Sequence, residues 1–157
     1  MAALNLTICG KDELSPLLAN KYSAIISIHD PGRNRKWSEV KRAKRKKQFE
    51  TIHCHTVLCL DFFDTENDAE LDGPRIIHIQ TITEFAKRIE PGSDVLIHCR
   101  MGVSRSTAAA MILLMEHGMT RDAALNEVKR VRPVADPNTL MLKLYQDHVT
   151  QPLQPLQ

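Results

Sequence analysis

The chain has 157 residues, of which 43% are hydrophobic and 25% charged, with a formal net charge of +2. That balance suits one folded domain of α/β or α+β type and excludes a polycation or a chain too polar to build a core. No internal repeat is present, and no apolar run approaches the ~20 residues a membrane-spanning helix needs.

Leu4 to Cys9 alternates apolar and polar residues and reads as a short strand, and Lys11 to Asn20 as a short helix. Ser23 to Ile28 (SAIISI) reads as a buried strand closed by the turn residues Asp30-Pro31-Gly32. A basic stretch follows, helical from Ser38 onward. It holds nine of the 21 Lys and Arg residues between Arg33 and Lys47. Such a run is either a solvated face or an anion-attracting rim that steers an acidic or phosphorylated partner. A nucleic-acid surface is not expected, because Trp37 is its one aromatic and no nucleic-acid motif accompanies it.

His55 to Leu60 is the next strand, and Asp61 to Gly73 is an acidic, turn-rich loop. Ile76, Ile79, Ile82, Ala86 and Ile89 recur at helical spacing, which predicts a helix over about 74–90. Asp94 to His98 (DVLIH) is a short apolar run between turn signals, as in a buried strand. Thr107 to Met115 is apolar all round, as in a buried helix, and Gly118 can end it. Thr120 can cap a helix carrying Ala124, Val128 and Val131. Asp136 then reads as a cap with Pro137 at the first helical position, opening a last helix with Leu140, Met141, Leu144 and Tyr145 on one face. The expected fold is α/β: a central, mostly parallel sheet of about four to five strands flanked by helices. One domain covers 1–150, and 151–157 form a flexible tail.

Between the strand and the buried helix lies His98-Cys99-Arg100-Met101-Gly102-Val103-Ser104-Arg105-Ser106. A strand running through a glycine-containing loop into a helix can curl its backbone N–H groups around an anion, and the helix start adds more donors and a positive dipole end. A thiol in that setting ionises readily. Arg105 can bind two phosphate oxygens at once. Ser106 can donate to the thiolate, first as nucleophile and later as leaving group. These parts suit in-line attack of Cys99 on phosphorus, with the loop amides and Arg105 holding the equatorial oxygens. Arg100, Met101, Gly102, Val103, Ser104 and Arg105 would form the substrate cradle.

HCRMGVSRS resembles the signature of the cysteine-based protein tyrosine phosphatase superfamily, and Arg132-Pro133 with Pro137-Asn138 resembles its dual-specificity branch. The resemblance runs from about His55 to His148. It implies hydrolysis of phosphotyrosine in proteins, with phosphoserine and phosphothreonine as further candidates, and no metal or organic cofactor. It also implies that His98 orients the loop and favours the thiolate, and that an aspartate on the upstream loop is the general acid. Asp61, Asp64, Asp68 and Asp72 are available. Phe63-Asp64-Thr65 matches best, and Asp61 suits a structural role at the strand end. A phosphoinositide or other phosphate-ester phosphatase is the main alternative. A phosphate-binding module without turnover and a sulfur-transfer enzyme fit less well.

Cys9, Cys54, Cys59 and Cys99 are the four cysteines. No signal peptide is apparent at the N-terminus, so free thiols in a reducing cytoplasm are expected. His53, Cys54, His55 and Cys59 match no standard zinc spacing and read as strand residues. His29 and His78 read as surface or hydrogen-bonded histidines. The methionines read as core filling, with Met101 alone at the pocket mouth.

Overall fold

The computed structural model describes residues 3–52 and 56–150. Four strands, β1 (Asn5–Gly10), β2 (Ala24–His29), β3 (Val57–Asp61) and β4 (Asp94–Cys99), form one parallel sheet in the order β1-β4-β2-β3. Because β4 is interior, both its faces are covered. Val95, Leu96 and Ile97 are each 0% exposed, which accounts for a continuous apolar run where a half-exposed strand would alternate.

A 3-10 turn (Lys11–Glu13) runs into α1 (Leu14–Leu17). These and α2 (Arg35–Ile52) cover one sheet face, where Cys9, Ile25, Phe49, Val57, Cys59 and Leu96 cluster. The other face carries α3 (Ile76–Ala86), α4 (Arg105–Glu116), α5 (Arg121–Val131) and α6 (Thr139–Thr150). α4 packs on β4 and β1 and against the three other helices of its layer. Residues 105–114 are buried without exception; from Ala108 to Leu114 they are all apolar, as a helix with no polar face requires.

Several boundaries differ from the sequence reading. α2 starts at Arg35, not Ser38, because Asn34 Oδ1 accepts the Trp37 N–H at 2.9 Å and caps the helix. The Ser38 hydroxyl instead accepts the Gly32 N–H and fixes the preceding turn. The helix expected over 74–90 is shorter. His78 Nδ1 accepts the Arg75 N–H at its start, and bonds from Arg88 to Phe85 and from Ile89 to Ala86 tighten its end. Asp136 is not the cap of α6. Asn138 Oδ1 accepts the Met141 N–H, and the Asp136 N–H is spent on the Val103 carbonyl. Gly118 (φ 99°) does close α4, and Thr120 does cap α5 by accepting from Ala123. His53, Cys54, His55 and the 151–157 tail lie outside the described residues.

The basic run is not uniformly a solvated face. Arg42 and Arg45 point inward and pair with Asp61 at 2.9 and 3.0 Å, and the Asp61 side chain is only 5% exposed. Among the described residues, no helix is long and apolar enough to cross a membrane.

Candidate active site

All four parallel strands end on the same side of the sheet, and Cys99 is the last residue of β4 there. Open α/β sheets place their binding crevices at such ends. The chain turns through Gly102 (φ 71°) and enters α4 at Arg105. A Cβ on Gly102 would come within 2.5 Å of the Cys9 carbonyl carbon, so β1 backbone packs directly under the loop. The buried Cys99 Sγ lies 3.3 Å from the Gly102 nitrogen, whose N–H points at it, and 3.1 Å from Ser106 Oγ. Both groups can donate to a thiolate. A hollow of about 790 Å³ opens over the sulfur, lined by the loop and by Asp30, Phe63, Asp64 and Glu70. Met101 and Phe63, 67% and 42% exposed, stand at its rim.

Arg105 is 3% exposed. Its Nη1 donates to Asp30 Oδ1 (2.8 Å) and to the Phe62 carbonyl (2.7 Å). Its Nε is buried with no partner among the described residues. A buried guanidinium N–H left open costs free energy unless a ligand satisfies it, and here it lies beside the loop. Asp30 closes β2 and read from sequence only as a turn residue. Its anchoring of Arg105 depends on a contact across 75 positions, which no local pattern signals.

Ser104 Oγ and Asn138 Nδ2 both donate to Asp64 Oδ1, at 2.7 and 2.9 Å. Asp64 Oδ2 takes no bond among the described residues. Asn138 also bonds the Thr65 carbonyl, and its own N–H reaches the Ser104 carbonyl. One buried amide thus joins the acidic loop, the cysteine loop and the start of α6. Asp61 points away into the Arg42–Arg45 pair, whereas Asp68 is exposed. Asp72 adopts φ 60° and lends its carbonyl to the Phe63 N–H. Arg132 holds the loop from outside. It donates to the Gly102 and Met101 carbonyls while pairing bidentately with Glu13 (2.6 and 2.7 Å), and that pairing holds the Glu13 carboxyl down to about 2.

Strand alternation puts His98 on the α2 face and Cys99 on the α4 face. Arg45 Nε donates to Ser27 Oγ (3.0 Å), which lies 2.7 Å from His98 Nε2. The hydroxyl proton is then free for Nε2, and the proton on Nδ1 points toward the Cys99 carbonyl at 3.4 Å. Burial, with Arg45 adding to it, pushes the imidazole down to about 4. His98 is therefore neutral, and its contact with Cys99 is to that residue's backbone carbonyl. Cys9 and Cys59 share the His98 face, opposite Cys99, and burial pushes the Cys9 thiol up to about 11. Among the described residues, no group of His, Cys, Asp or Glu could hold a metal ion.

These burials set a pH dependence of stability. An unfolded histidine titrates near ~6.5. Below that the unfolded chain binds protons that His98 in the folded chain refuses until about 4. Stability is thus complete above the unfolded value and falls as pH drops toward the folded one. His98 alone removes about 2 kcal/mol between pH 7 and pH 5. His29, held to about 3, and His78, held to about 4, act in the same direction. Urea midpoints measured at the two pH values should show the loss, and His98→Asn should reduce the difference.

The sequence profile of the dual specificity phosphatase catalytic domain matches residues 38–149. Dual specificity protein phosphatase 1 of Arabidopsis thaliana is 47% identical over 57 residues, 36% of this chain and 29% of its own length. Protein phosphatase Slingshot homolog 3 of Homo sapiens is 40% identical over 63 residues, 38% of this chain and 10% of its own. The matches thus span less than a third of either relative. The crystal structure of human DUSP28 superposes with a TM-score of 0.60 over 93% of this chain and 94% of that one, at 22% identity, which is a likeness of fold.

Proposed function

Because the chain belongs to the dual specificity phosphatase catalytic-domain family, we propose that it hydrolyses phosphotyrosine in proteins, and phosphoserine and phosphothreonine as well, through a phosphocysteine formed on Cys99. The observation that carries this reading is the buried Cys99 sulfur with N–H and O–H groups at 3.3 and 3.1 Å, beside a guanidinium whose Nε has no partner among the described residues.

The Cys99 thiolate attacks phosphorus as the phosphorus–oxygen bond to the leaving group breaks. Loop amides and Arg105 hold the equatorial oxygens. Asp64 gives the departing oxygen its proton, from the oxygen that Ser104 and Asn138 leave free. Asp64 then takes a proton from water as that water attacks phosphorus. The sulfur departs as a thiolate to which Ser106 donates. Phe63 and Met101 offer apolar walls to an aryl ring. His98, Arg132 and Asp30 are positioning residues that hold the loop and Arg105 in place.

A phosphoinositide headgroup is the second reading, favoured by the lysines that line an adjoining hollow. The remaining exposed cations of Arg33–Lys47 would meet an anionic partner surface in either case, with no role in binding nucleic acid. The unbridged thiols of Cys9, Cys59 and Cys99 suit a reducing cytoplasm.

Hydrolysis of p-nitrophenyl phosphate, a phosphotyrosyl peptide and a soluble phosphoinositide, measured side by side, tests the reading. The peptide should give the highest kcat/KM, and absence of turnover on all three would contradict it. Asp30→Asn should lower kcat/KM on p-nitrophenyl phosphate by about tenfold, the worth of one charge-assisted hydrogen bond to Arg105. The loss should be larger with peptides held at low affinity, and Asp30→Glu should recover part of it.

A further inference from the structure

Beside the cradle lies a second hollow of about 610 Å³, which shares Cys99, Arg100 and Asp30 with the first and is walled on its far side by α2. Ser38, Lys41, Lys44, Arg45 and Gln48 line it. Their spacing of three and four puts them on one helix face. Lys11, just past the end of β1, lines it from another side.

The charges in this hollow do not cancel. Its two acids are Asp30 and Asp61. Asp61 is taken by Arg42 and Arg45, and Asp30 by Arg105 and, at 3.4 Å, by Arg100. Lys11 and Lys44 meet no acid among the described residues, and the Lys41 ammonium rests 5.4 Å from the centre of the Trp37 ring. Three cations of one concavity therefore have no acid of their own among the described residues. A low-dielectric wall focuses such a field. Half-buried His29 on the same wall feels it, since Arg45, Lys11 and Arg105 add to the burial that keeps its imidazole neutral.

We propose that this hollow is a second anion subsite, taking a carboxylate or phosphate carried by the same peptide whose phosphoryl group occupies the cradle. The inference rests on the phosphatase reading of the cradle. A peptide is the fitting carrier for two reasons. The hollows share a wall, and neighbouring residues of an extended chain are only ~3.3–3.6 Å apart along it. The lysines also line a concavity that accepts a side chain, not a flat face that a bilayer would meet.

The test compares three phosphotyrosyl peptides of one sequence, flanked by glutamine, by glutamate or by a second phosphorylated residue. The proteins are wild type, the double variant Lys41→Gln with Lys44→Gln, and the double variant Lys41→Arg with Lys44→Arg. p-Nitrophenyl phosphate, which carries no second anion, supplies the reference rate for each protein. Wild type should favour at least one anionic peptide over the glutamine peptide by about tenfold in kcat/KM, carried by KM. The glutamine variant should lose that preference and the arginine variant keep it. The larger of the two gains identifies the anion. Equal rates on all three peptides, or a preference that survives in the glutamine variant, overturns the subsite while p-nitrophenyl phosphate turnover keeps the phosphatase reading. No turnover of p-nitrophenyl phosphate by wild type overturns both.

Discussion

Replacing Cys99 with serine should lower kcat on a phosphotyrosyl peptide by about 10⁴-fold or more, the scale of effect when a covalent nucleophile is removed. A serine hydroxyl at that place is not ionised near neutral pH and is a far weaker nucleophile than a thiolate. The ring of donors around position 99 does not depend on sulfur. Gly102 is held in its turn by β1 backbone, and Arg105 is held by Asp30 and the Phe62 carbonyl. The variant should therefore still bind the phosphopeptide, and calorimetry on Cys99→Ser should return a Kd close to the wild-type KM. Binding and chemistry should therefore separate at this one side chain, because the groups proposed to hold the phosphoryl are backbone and Arg105.

The second large effect belongs to Asp64. Asp64→Ala should lower kcat by ~10²–10⁴, the usual worth of a general acid. The loss should be greater for a tyrosyl leaving group, whose hydroxyl has a pKa near ~10, than for p-nitrophenolate, which departs more easily without a proton. Asp61→Ala should behave in the opposite way. Asp61 sits between Arg42 and Arg45 with its side chain 5% exposed. Its removal takes the acid from Arg45, which keeps its bonds to Ser27 and the Leu60 carbonyl; the loss of charge-assisted hydrogen bonds costs about 1.5–3 kcal/mol of stability, and any fall in rate should be the same for both leaving groups. Asp68→Ala, on an exposed loop residue, should change neither. Steady-state rates on two leaving groups, with a urea melt of each variant, separate the three aspartates. Asn138→Ala should mimic Asp64→Ala in part, because Asn138 supplies one of the two bonds to Oδ1.

The parts of the site that were legible from sequence are those held within a few residues of one another. Cys99, Gly102, Arg105 and Ser106 lie within one turn of chain, so strand, loop and helix patterns place them together. The helices of the second half were legible for the same reason: α4 is apolar on every side and α5 has a cap and a clean stripe. What was illegible depends on long-range pairing. Asp30 meets Arg105 across 75 positions and Asn138 meets Asp64 across 74. Arg132 reaches Glu13 across 119. The basic run shows the same limit. From sequence its arginines and lysines are equivalent, but in the fold Arg42 and Arg45 satisfy Asp61 and the His98 network while Lys41 and Lys44 meet no acid among the described residues. Asp136 and Asn138 are both good caps by residue type, and only the fold shows that the Asn138 side chain is the one that accepts a first-turn N–H, from Met141.

Covalent capture tests the nucleophilic role of Cys99 most directly. Ser106→Ala removes the hydroxyl 3.1 Å from the sulfur, so the thiolate should leave phosphorus more slowly and the intermediate should accumulate. Acid quenching of that variant during turnover, followed by peptide mapping in a mass spectrometer, should find the phosphoryl group on the peptide that contains Cys99. Phosphoryl on a different side chain, or sustained turnover with no protein-bound phosphoryl at any time, would contradict it.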